Sequence, residues 1–215
     1  MRNFLFLFVF TLIQCQKEPS LTRNSSSLHE VEANVEKPKV NLEKLKSKAD
    51  EALKFVEAKK YNTEFCILVD MSLHSGVNRF FIWDFKKQEI SHQFLVGHGC
   101  GSASWSSDDT KEKPSFSNVD GSHLSSLGKY KLGARGTSEW GIGVKYLMHG
   151  LEETNSNALP RFIVFHSWNL MSDSEVYPKG SPEGWGCPTV SNNALKTLDP
   201  MLQKSKKPVL FWMYN

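Results

Sequence analysis

The residues of this chain most capable of covalent chemistry are a cysteine in a glycine-rich turn and a histidine upstream of it. Cys187 lies in the Gly-Trp-Gly-Cys-Pro run at residues 184–188, and His166 ends an apolar run. A thiolate is a strong nucleophile, and a neighbouring imidazole lowers the thiol pKa and moves its proton. The flanking glycines leave room for a carbonyl substrate and for backbone N–H groups that bind an oxyanion. The pattern predicts a cysteine acyltransferase.

Two other arrangements use the same residue types. His149 precedes a glycine and competes with His166 for the role of base. A zinc site is the second arrangement, because histidine and cysteine are common zinc ligands. Its members would be His98, Cys100, His166 and Cys187. Their separations are not those of a compact zinc module, so neither a metal nor another cofactor is expected.

The first fifteen residues have the composition of an export signal. An apolar run over residues 4–13 follows one positive charge and is too short to remain as a membrane-spanning helix. Cys15 comes next, with Leu12 three residues before it, as in a bacterial lipoprotein signal, although Gln14 replaces the usual small residue. We expect a signal peptide over residues 1–15, export to the bacterial cell envelope or periplasm, and a lipid anchor at Cys15. Simple cleavage or an uncleaved anchor is the alternative.

Three cysteines remain after the lipidation candidate: Cys66, Cys100 and Cys187. An odd number in an exported protein leaves at least one thiol free. A disulfide between Cys66 and Cys100 would leave Cys187 free, but the sequence does not establish that pairing.

Once the ends are set aside, the 215 residues leave room for one domain of roughly 150 residues. A net charge of +3, with no basic patch, argues against nucleic acid as the main partner. Residues 16–40 are polar and predict a flexible linker. From residue 41 to 60, apolar residues recur at helical spacing with lysines and glutamates between them, which predicts an amphipathic helix.

Residues 61–215 are expected to form the catalytic domain. Short apolar runs predict about seven strands, at residues 65–70, 79–84, 89–96, 127–132, 144–151, 161–166 and 208–214. A short helix is predicted over residues 191–198, closed before Pro200, and residues 133–143 are expected to be a loop. Strands and helices do not alternate, so the fold class is mainly β, a β-rich α+β domain with a mixed or antiparallel sheet and a few short helices.

The stretch over residues 97–126 is long and irregular, and we expect it to form a wall of the substrate cleft. Its small residues allow an extended peptide to approach, so His98 and Gly99 are predicted to bind substrate. Asn118 and Ser126 are predicted either to contact the substrate backbone or to form turns.

Several groups of residues between about positions 65 and 200 are specific through their order and spacing. They are Val96-Gly97-His98-Gly99 with Gly101-Ser102, Phe116-Ser117-Asn118, Gly121-Ser122, Ser125-Ser126-Leu127-Gly128, Gly150-Leu151-Glu152 with Asn157-Ala158, the run from Arg161 to His166, and Gly186-Cys187-Pro188. Together they resemble the murein L,D-transpeptidase catalytic-domain family, which has the YkuD-like fold, and within it a branch with a Gly-Cys-Pro nucleophile turn. Gly184 and Trp185 depart from the Ser or Thr and the His of the common family motif, and Pro188 replaces a branched apolar residue.

The resemblance implies that Cys187 attacks the carbonyl of a diaminopimelate residue in a peptidoglycan stem tetrapeptide. D-Ala would leave, and an amine of a second stem would take the acyl group from the thioester. With water as acceptor, the enzyme would be an L,D-carboxypeptidase. The carbonyl of Ser167 would orient His166, amides near Gly186 and Cys187 would bind the oxyanion, and Trp185 would contact substrate. A non-catalytic wall-binding lipoprotein is the alternative outside the enzymes.

Overall fold

A computed structural model describes residues 36–215 and contains one mixed β-sheet with two helices. In chain order the elements are α1 (Leu42–Lys59), β1 (Phe65–Asp70), β2 (Phe80–Asp84), β3 (Glu89–Phe94), β4 (Gly128–Thr137), β5 (Val144–Gly150), β6 (Val164–Ser167), β7 (Thr189–Val190), α2 (Asn192–Lys204) and β8 (Leu210–Tyr214). A single 3-10 turn over Glu153–Asn155 follows β5. The predicted β-rich fold class with a mixed sheet is confirmed by this arrangement.

The eight strands of the sheet lie in the order β3-β2-β1-β8-β4-β5-β6-β7. The pairs β1–β8 and β6–β7 are parallel, and the other neighbouring pairs are antiparallel. Strand β1 is buried along its whole length because both faces of the sheet are covered. Ile67 and Val69 pack with α2, while Cys66 and Leu68 pack with α1 on the opposite face.

Helix α1 follows from its sequence. The Asn41 side chain accepts a hydrogen bond from the Lys44 N–H at 2.9 Å, which caps the first turn. Lys60 ends the helix in the left-handed conformation. The apolar face packs on the sheet through Leu45, Ala49, Ala52 and Val56. Residues 36–40 lie in the stretch predicted as linker, where Lys37 pairs with Glu175 and Val40 packs beside this face.

Helix α2 and strand β4 depart most from the predicted boundaries, β6 begins at Val164 rather than at residue 161, and β7 was not among the predicted strands. Helix α2 continues through Pro200 to Lys204, so the prediction that it ends before the proline is wrong. Proline removes one backbone hydrogen bond, but Leu198 and Leu202 continue the apolar face that packs on the sheet. Strand β4 runs on to Thr137, through residues predicted as loop, because it pairs with β5 along that length with a shift in register.

The sheet edge formed by β6 and β7 places the reactive residues. His166 lies in β6, and its register partner on the parallel strand β7 is Thr189, just after Cys187. The long loop between β3 and β4 is fastened to the same edge by bridges from Gly97 to Thr189 and from Gly99 to Gly184. The histidine strand, the cysteine turn and the long loop therefore meet at one place.

The predictions for residues 1–15, including lipidation at Cys15, and for linker residues 16–35 lie outside the described residues. In the described part of the chain, neither helix combines the length and apolar character needed to cross a bilayer.

Candidate active site

Cys187 and His166 line the same two adjoining cavities beside the β6–β7 edge. Cys187 comes from the turn before β7 and is partly buried, while His166 is held in β6 and only 7% exposed. The structure thus brings the predicted nucleophile and the predicted base to one cleft.

The backbone fixes the tautomer of His166. Nδ1 lies 2.9 Å from the carbonyl oxygen of Ser167. A carbonyl can only accept, so Nδ1 carries the proton and Nε2 keeps its lone pair. The Ser167 hydroxyl in turn accepts the N–H of Ile142 at 3.0 Å, which anchors the segment that carries the carbonyl. An imidazole in this state is ready to take a proton at Nε2.

The thiol of Cys187 contacts the backbone at the start of β6. Its Sγ lies 3.4 Å from the N–H of Val164 and 3.7 Å from the carbonyl oxygen of Phe162. In residues 36–215 no hydrogen bond joins this sulfur to the His166 ring. Catalytic hydrogen bonds commonly form or tighten only in the substrate complex, so this geometry is compatible with a Cys–His pair.

Burial sets the protonation of both groups at rest. It raises the pKa of the Cys187 thiol above its ordinary value, an effect that the Val164 N–H and the charges of Arg161 and Lys145 only partly oppose. Burial also lowers the pKa of His166; the Ser167 hydrogen bond opposes this shift and Lys145 adds to it. Both directions favour a neutral thiol beside a neutral imidazole near pH 7.

The turn that carries Cys187 is fastened at several points. Gly186 has φ +101°, a conformation that favours glycine, and its carbonyl accepts the Ser125 hydroxyl at 3.0 Å. Gly184 donates its N–H to the His98 carbonyl at 2.7 Å and accepts the Cys100 N–H at 2.8 Å. Among the hydrogen bonds of the described residues, none uses the backbone N–H of Gly186 or Cys187.

One of the two cavities is small and aromatic. It has a volume of about 110 Å³. Besides Cys187 and His166, it is lined by Trp105, Trp140, Trp168, Trp185, Gly184 and Thr189. Ring centroids of the first three indoles lie 5.1–6.3 Å apart, so they form a continuous wall. Trp185 is 61% exposed and stacks on His123 across 5.3 Å, which leaves this predicted substrate-binding residue at the rim.

The other cavity is larger and more polar, with a volume of about 450 Å³. Its lining residues besides the Cys–His pair are Thr137, Ser138, Glu139, Trp140, Lys145, Phe162 and Val164. One acidic and one basic side chain therefore face the cleft on this side. Phe162 is 85% exposed at its mouth.

His98, predicted to bind substrate, does not reach the cleft surface. Its side chain is fully buried, and its ring contacts Arg79 Nη2 and Thr110 Oγ1, each at 2.8 Å. A side chain with no exposed surface cannot contact a substrate directly, so this prediction is corrected to a position behind the cleft. The Gly-rich surroundings of His98 suggested an open loop, but the ring turns inward to pair with the buried arginine.

The other predicted cleft-wall residues hold loops together. The Asn118 side chain donates to the Glu153 carbonyl at 2.8 Å, and the Ser126 hydroxyl donates to the Ser117 carbonyl at 2.9 Å. Ser126 is buried, so of its two predicted roles the structure supports the turn. Gly99 is buried against the chain at His123, where a Cβ would lie 2.1 Å from a carbonyl oxygen. It allows close packing of two backbone segments.

The alternative arrangements do not assemble. Cys66, Cys100 and Cys187 are all free thiols. Within residues 36–215, no three His, Cys, Asp or Glu side chains form a group that could hold a metal ion. His149 lines a separate cavity, with Lys131 and Tyr146, away from Cys187.

Arg161 begins one of the segments that carry the family resemblance, whereas Thr189, Glu183 and Arg79 were not predicted at the site. Arg161 donates to two carbonyls and two hydroxyls of the segment 117–126, which packs against Gly186. Thr189 lines the aromatic cavity with a buried hydroxyl that has no hydrogen-bond partner in the described residues. Glu183 and Arg79 are fully buried. Arg79 directly precedes an apolar run, and a charged residue at that place is the sequence signal that could have identified it, whereas Glu183 has no such signal.

A profile of the L,D-transpeptidase catalytic domain family matches residues 36–212 of the chain. Comparison with curated proteins gives no match. Among solved structures, the helical cell shape determining protein Pgp2 from Campylobacter jejuni aligns with a TM-score of 0.45 and 13% identity. That alignment covers 70% of this chain and 47% of the Pgp2 chain, about half its length. An L,D-transpeptidase from Xylanimonas cellulosilytica aligns with a TM-score of 0.38 and 11% identity, over 75% of this chain and 68% of the other.

Proposed function

This chain belongs to the L,D-transpeptidase catalytic domain family, as its motifs predicted, and we propose that it is a peptidoglycan L,D-transpeptidase with Cys187 as nucleophile and His166 as base. The observation that carries the proposal is the tautomer of His166. Its Nδ1 donates to the Ser167 carbonyl, which leaves Nε2 unprotonated in the cleft that Cys187 lines. The resemblance assigned that orienting role to Ser167.

In the first half of the reaction, the Cys187 sulfur attacks the carbonyl carbon of the diaminopimelate residue in a stem tetrapeptide. The thiol proton passes to Nε2 of His166, and the carbonyl oxygen becomes an oxyanion. The backbone N–H groups of Gly186 and Cys187 support its binding, because neither is used within the described residues. When the intermediate collapses, the C–N bond breaks, D-Ala takes the proton from His166 as an amine, and a thioester remains on Cys187.

In the second half, an acceptor amine attacks the thioester carbonyl and gives its proton to His166. The C–S bond breaks, and the sulfur recovers a proton from the imidazolium. The two cavities that share Cys187 and His166 support this scheme, since donor and acceptor must both reach the sulfur. The polar cavity, with Glu139 and Lys145, suits a zwitterionic amino-acid centre such as that of diaminopimelate.

Water in place of the amine would release a tripeptide, and the protein would be an L,D-carboxypeptidase. The test is to incubate the purified protein with a diaminopimelate-containing disaccharide tetrapeptide and to identify products by mass spectrometry. We expect a cross-linked dimer that has lost one D-Ala. A tripeptide monomer without dimer would establish the carboxypeptidase instead, and unchanged substrate with folded protein would favour a wall-binding protein without turnover.

We further propose that the protein acts in the cell envelope and is held to a membrane by a lipid on Cys15. The apolar run at residues 4–13 and the cysteine that follows support this proposal. Labelling of cells with a clickable fatty acid tests it, because incorporation should be lost in Cys15→Ala. Equal labelling of that variant would refute a lipid at this position.

A further inference from the structure

A chain of buried polar side chains lies directly behind the nucleophile turn. Arg79, His98 and Glu183 are all fully buried, and Thr110 is hydrogen-bonded to both His98 and Glu183. These four side chains form a hydrogen-bonded relay. None of the four lines either cavity that contains Cys187. Burying two opposite charges carries a large desolvation cost, and such groups occur in proteins when hydrogen bonds compensate for it.

The direction of each side-chain hydrogen bond in this relay follows from Arg79. A guanidinium can only donate, so its contact with His98 Nδ1 at 2.8 Å makes that nitrogen the acceptor. Nε2 then carries the proton and donates to Thr110 Oγ1 at 2.8 Å. The Thr110 hydroxyl donates onward to Glu183 Oε1 at 3.0 Å, which also accepts the Thr110 N–H at 2.7 Å.

The imidazole within the relay is neutral. Burial, with the Arg79 charge acting in the same direction, lowers the pKa of His98 well below its ordinary value. Arg79 and Glu183 are therefore connected through two neutral groups, and no hydrogen bond of Arg79 within residues 36–215 reaches the carboxylate directly. Burial raises the pKa of Glu183, an effect that its two hydrogen bonds from Thr110 oppose. The second carboxylate oxygen, Glu183 Oε2, has no hydrogen-bond partner in residues 36–215, so the relay through Thr110 carries all the hydrogen bonds of this carboxylate.

Both ends of the relay are joined to the backbone around the active site. Glu183 immediately precedes Gly184, the first residue of the nucleophile turn. The Gly184 N–H donates at 2.7 Å to the carbonyl of His98, the residue whose ring forms the centre of the relay. At the other end, Arg79 donates through Nε and Nη2 to the Val96 carbonyl, at the start of the same loop.

We propose that Arg79, His98, Thr110 and Glu183 are positioning residues that hold the nucleophile turn, and through it the Cys187 thiol, at the correct place relative to His166. The inference rests on the proposed function for its catalytic meaning, but the position of the thiol can be measured without peptidoglycan. It also accounts for why a histidine in a glycine-rich loop is fully buried.

Thr110 offers a mild way to break the relay. Thr110→Val keeps the shape of the side chain but removes the hydroxyl, which leaves His98 Nε2–H without its acceptor. Thr110→Ser keeps the hydroxyl and should restore function. Asn62→Ala is the control for general loss of stability, since Asn62 is buried and hydrogen-bonded to Ser205, and none of its hydrogen bonds in the described residues reaches the relay.

The primary readout is the rate at which iodoacetamide alkylates Cys187 near neutral pH, resolved from the two other thiols by peptide mapping of the folded protein. We expect Thr110→Val to slow this rate by about tenfold or more, because small displacements of a reactive group have effects of this order. Thr110→Ser should stay within about twofold of wild type on the same reasoning, as should Asn62→Ala. With substrate, the loss should be in kcat rather than KM.

A folded Thr110→Val protein that alkylates at the wild-type rate would overturn the inference, as would a Thr110→Ser protein that is as slow as the valine variant. Should Thr110→Val fail to fold, Glu183→Leu is measured in its place. That change keeps the approximate size of the side chain but removes the acceptor of both Thr110 hydrogen bonds, and an unchanged alkylation rate would again overturn the inference. If alkylation responds as expected but wild type turns over no peptidoglycan, the proposed function fails and the positioning role stands.

Discussion

Substituting Gly186 by alanine should destabilise the fold far more than the same change at Gly184, although both glycines belong to the nucleophile turn. Gly186 has φ +101°, and a Cβ there would lie 2.7 Å from the Leu124 carbonyl oxygen. That carbonyl cannot withdraw easily, because it accepts a hydrogen bond of 2.6 Å from Arg161. At Gly184 a Cβ would meet no atom within 4 Å.

The cost at Gly186 has two parts. A positive φ with a side chain costs roughly 1–2 kcal/mol. Moving the turn to relieve the contact would also stretch the hydrogen bond from the Ser125 hydroxyl to the Gly186 carbonyl, which contributes about 1 kcal/mol. We expect Gly186→Ala to lose about 2–4 kcal/mol of unfolding free energy and Gly184→Ala less than about 0.5 kcal/mol.

The unfolding free energy of both variants is measured by urea denaturation followed by tryptophan fluorescence. We expect the urea midpoint of Gly186→Ala to fall while the dependence of the free energy on urea concentration is unchanged. Cys187 alkylation should also slow in Gly186→Ala. Gly184→Ala is a control for stability alone, because its methyl group would enter the aromatic cavity and change the surface that faces the substrate. Equal stability losses in the two variants, or a loss below about 0.5 kcal/mol at Gly186, would refute the account of this turn.

Three further predictions concern the surroundings of the turn. Stability should fall as the pH drops below about 6.5, because burial lowers the pKa of both His98 and His166 and the unfolded chain then binds more protons; thermal melts across pH that show no decline would contradict this. Arg161→Lys should cost about 2–3 kcal/mol in urea, because an ammonium cannot replace a guanidinium that serves four acceptors, and a loss under about 1 kcal/mol would be inconsistent with it. Trp105→Ala should raise KM for the stem peptide about tenfold while Cys187 alkylates normally, whereas an unchanged KM would remove this indole from the binding surface.

The sequence carried enough information to predict the local elements of the sheet and the reactive pair. Residues 65–70 and 210–214 are short apolar runs, and such runs predict buried strands. They are buried along their whole length because both faces of the sheet are covered. Cys187 and His166 were identifiable because few other residues can serve as nucleophile and base. The parallel pairing of β1 with β8 could not be predicted, since it joins the two ends of the domain and leaves no local pattern.

The position of His98 shows why the rest of the site was harder to predict. A histidine between glycines looks like a flexible loop residue, and only the buried Arg79 from another segment explains why it faces inward. Glu183 was likewise absent from the predicted site because its partner Thr110 is distant in sequence. Arg161 gave no sign of its four hydrogen bonds, which depend on how the segment 117–126 folds over it. Contacts of this kind depend on tertiary structure and leave no periodic pattern in the amino-acid sequence.

Under the proposed function, Cys187 forms a thioester with the stem peptide and gives its proton to His166. The most direct test is the intact mass of the protein after rapid acid quenching of a reaction with the tetrapeptide substrate. We expect an added mass equal to the substrate minus D-Ala, absent in Cys187→Ala and strongly reduced in a folded His166→Gln protein. An adduct that persists in Cys187→Ala, or product formation by that variant at the wild-type rate, would contradict it.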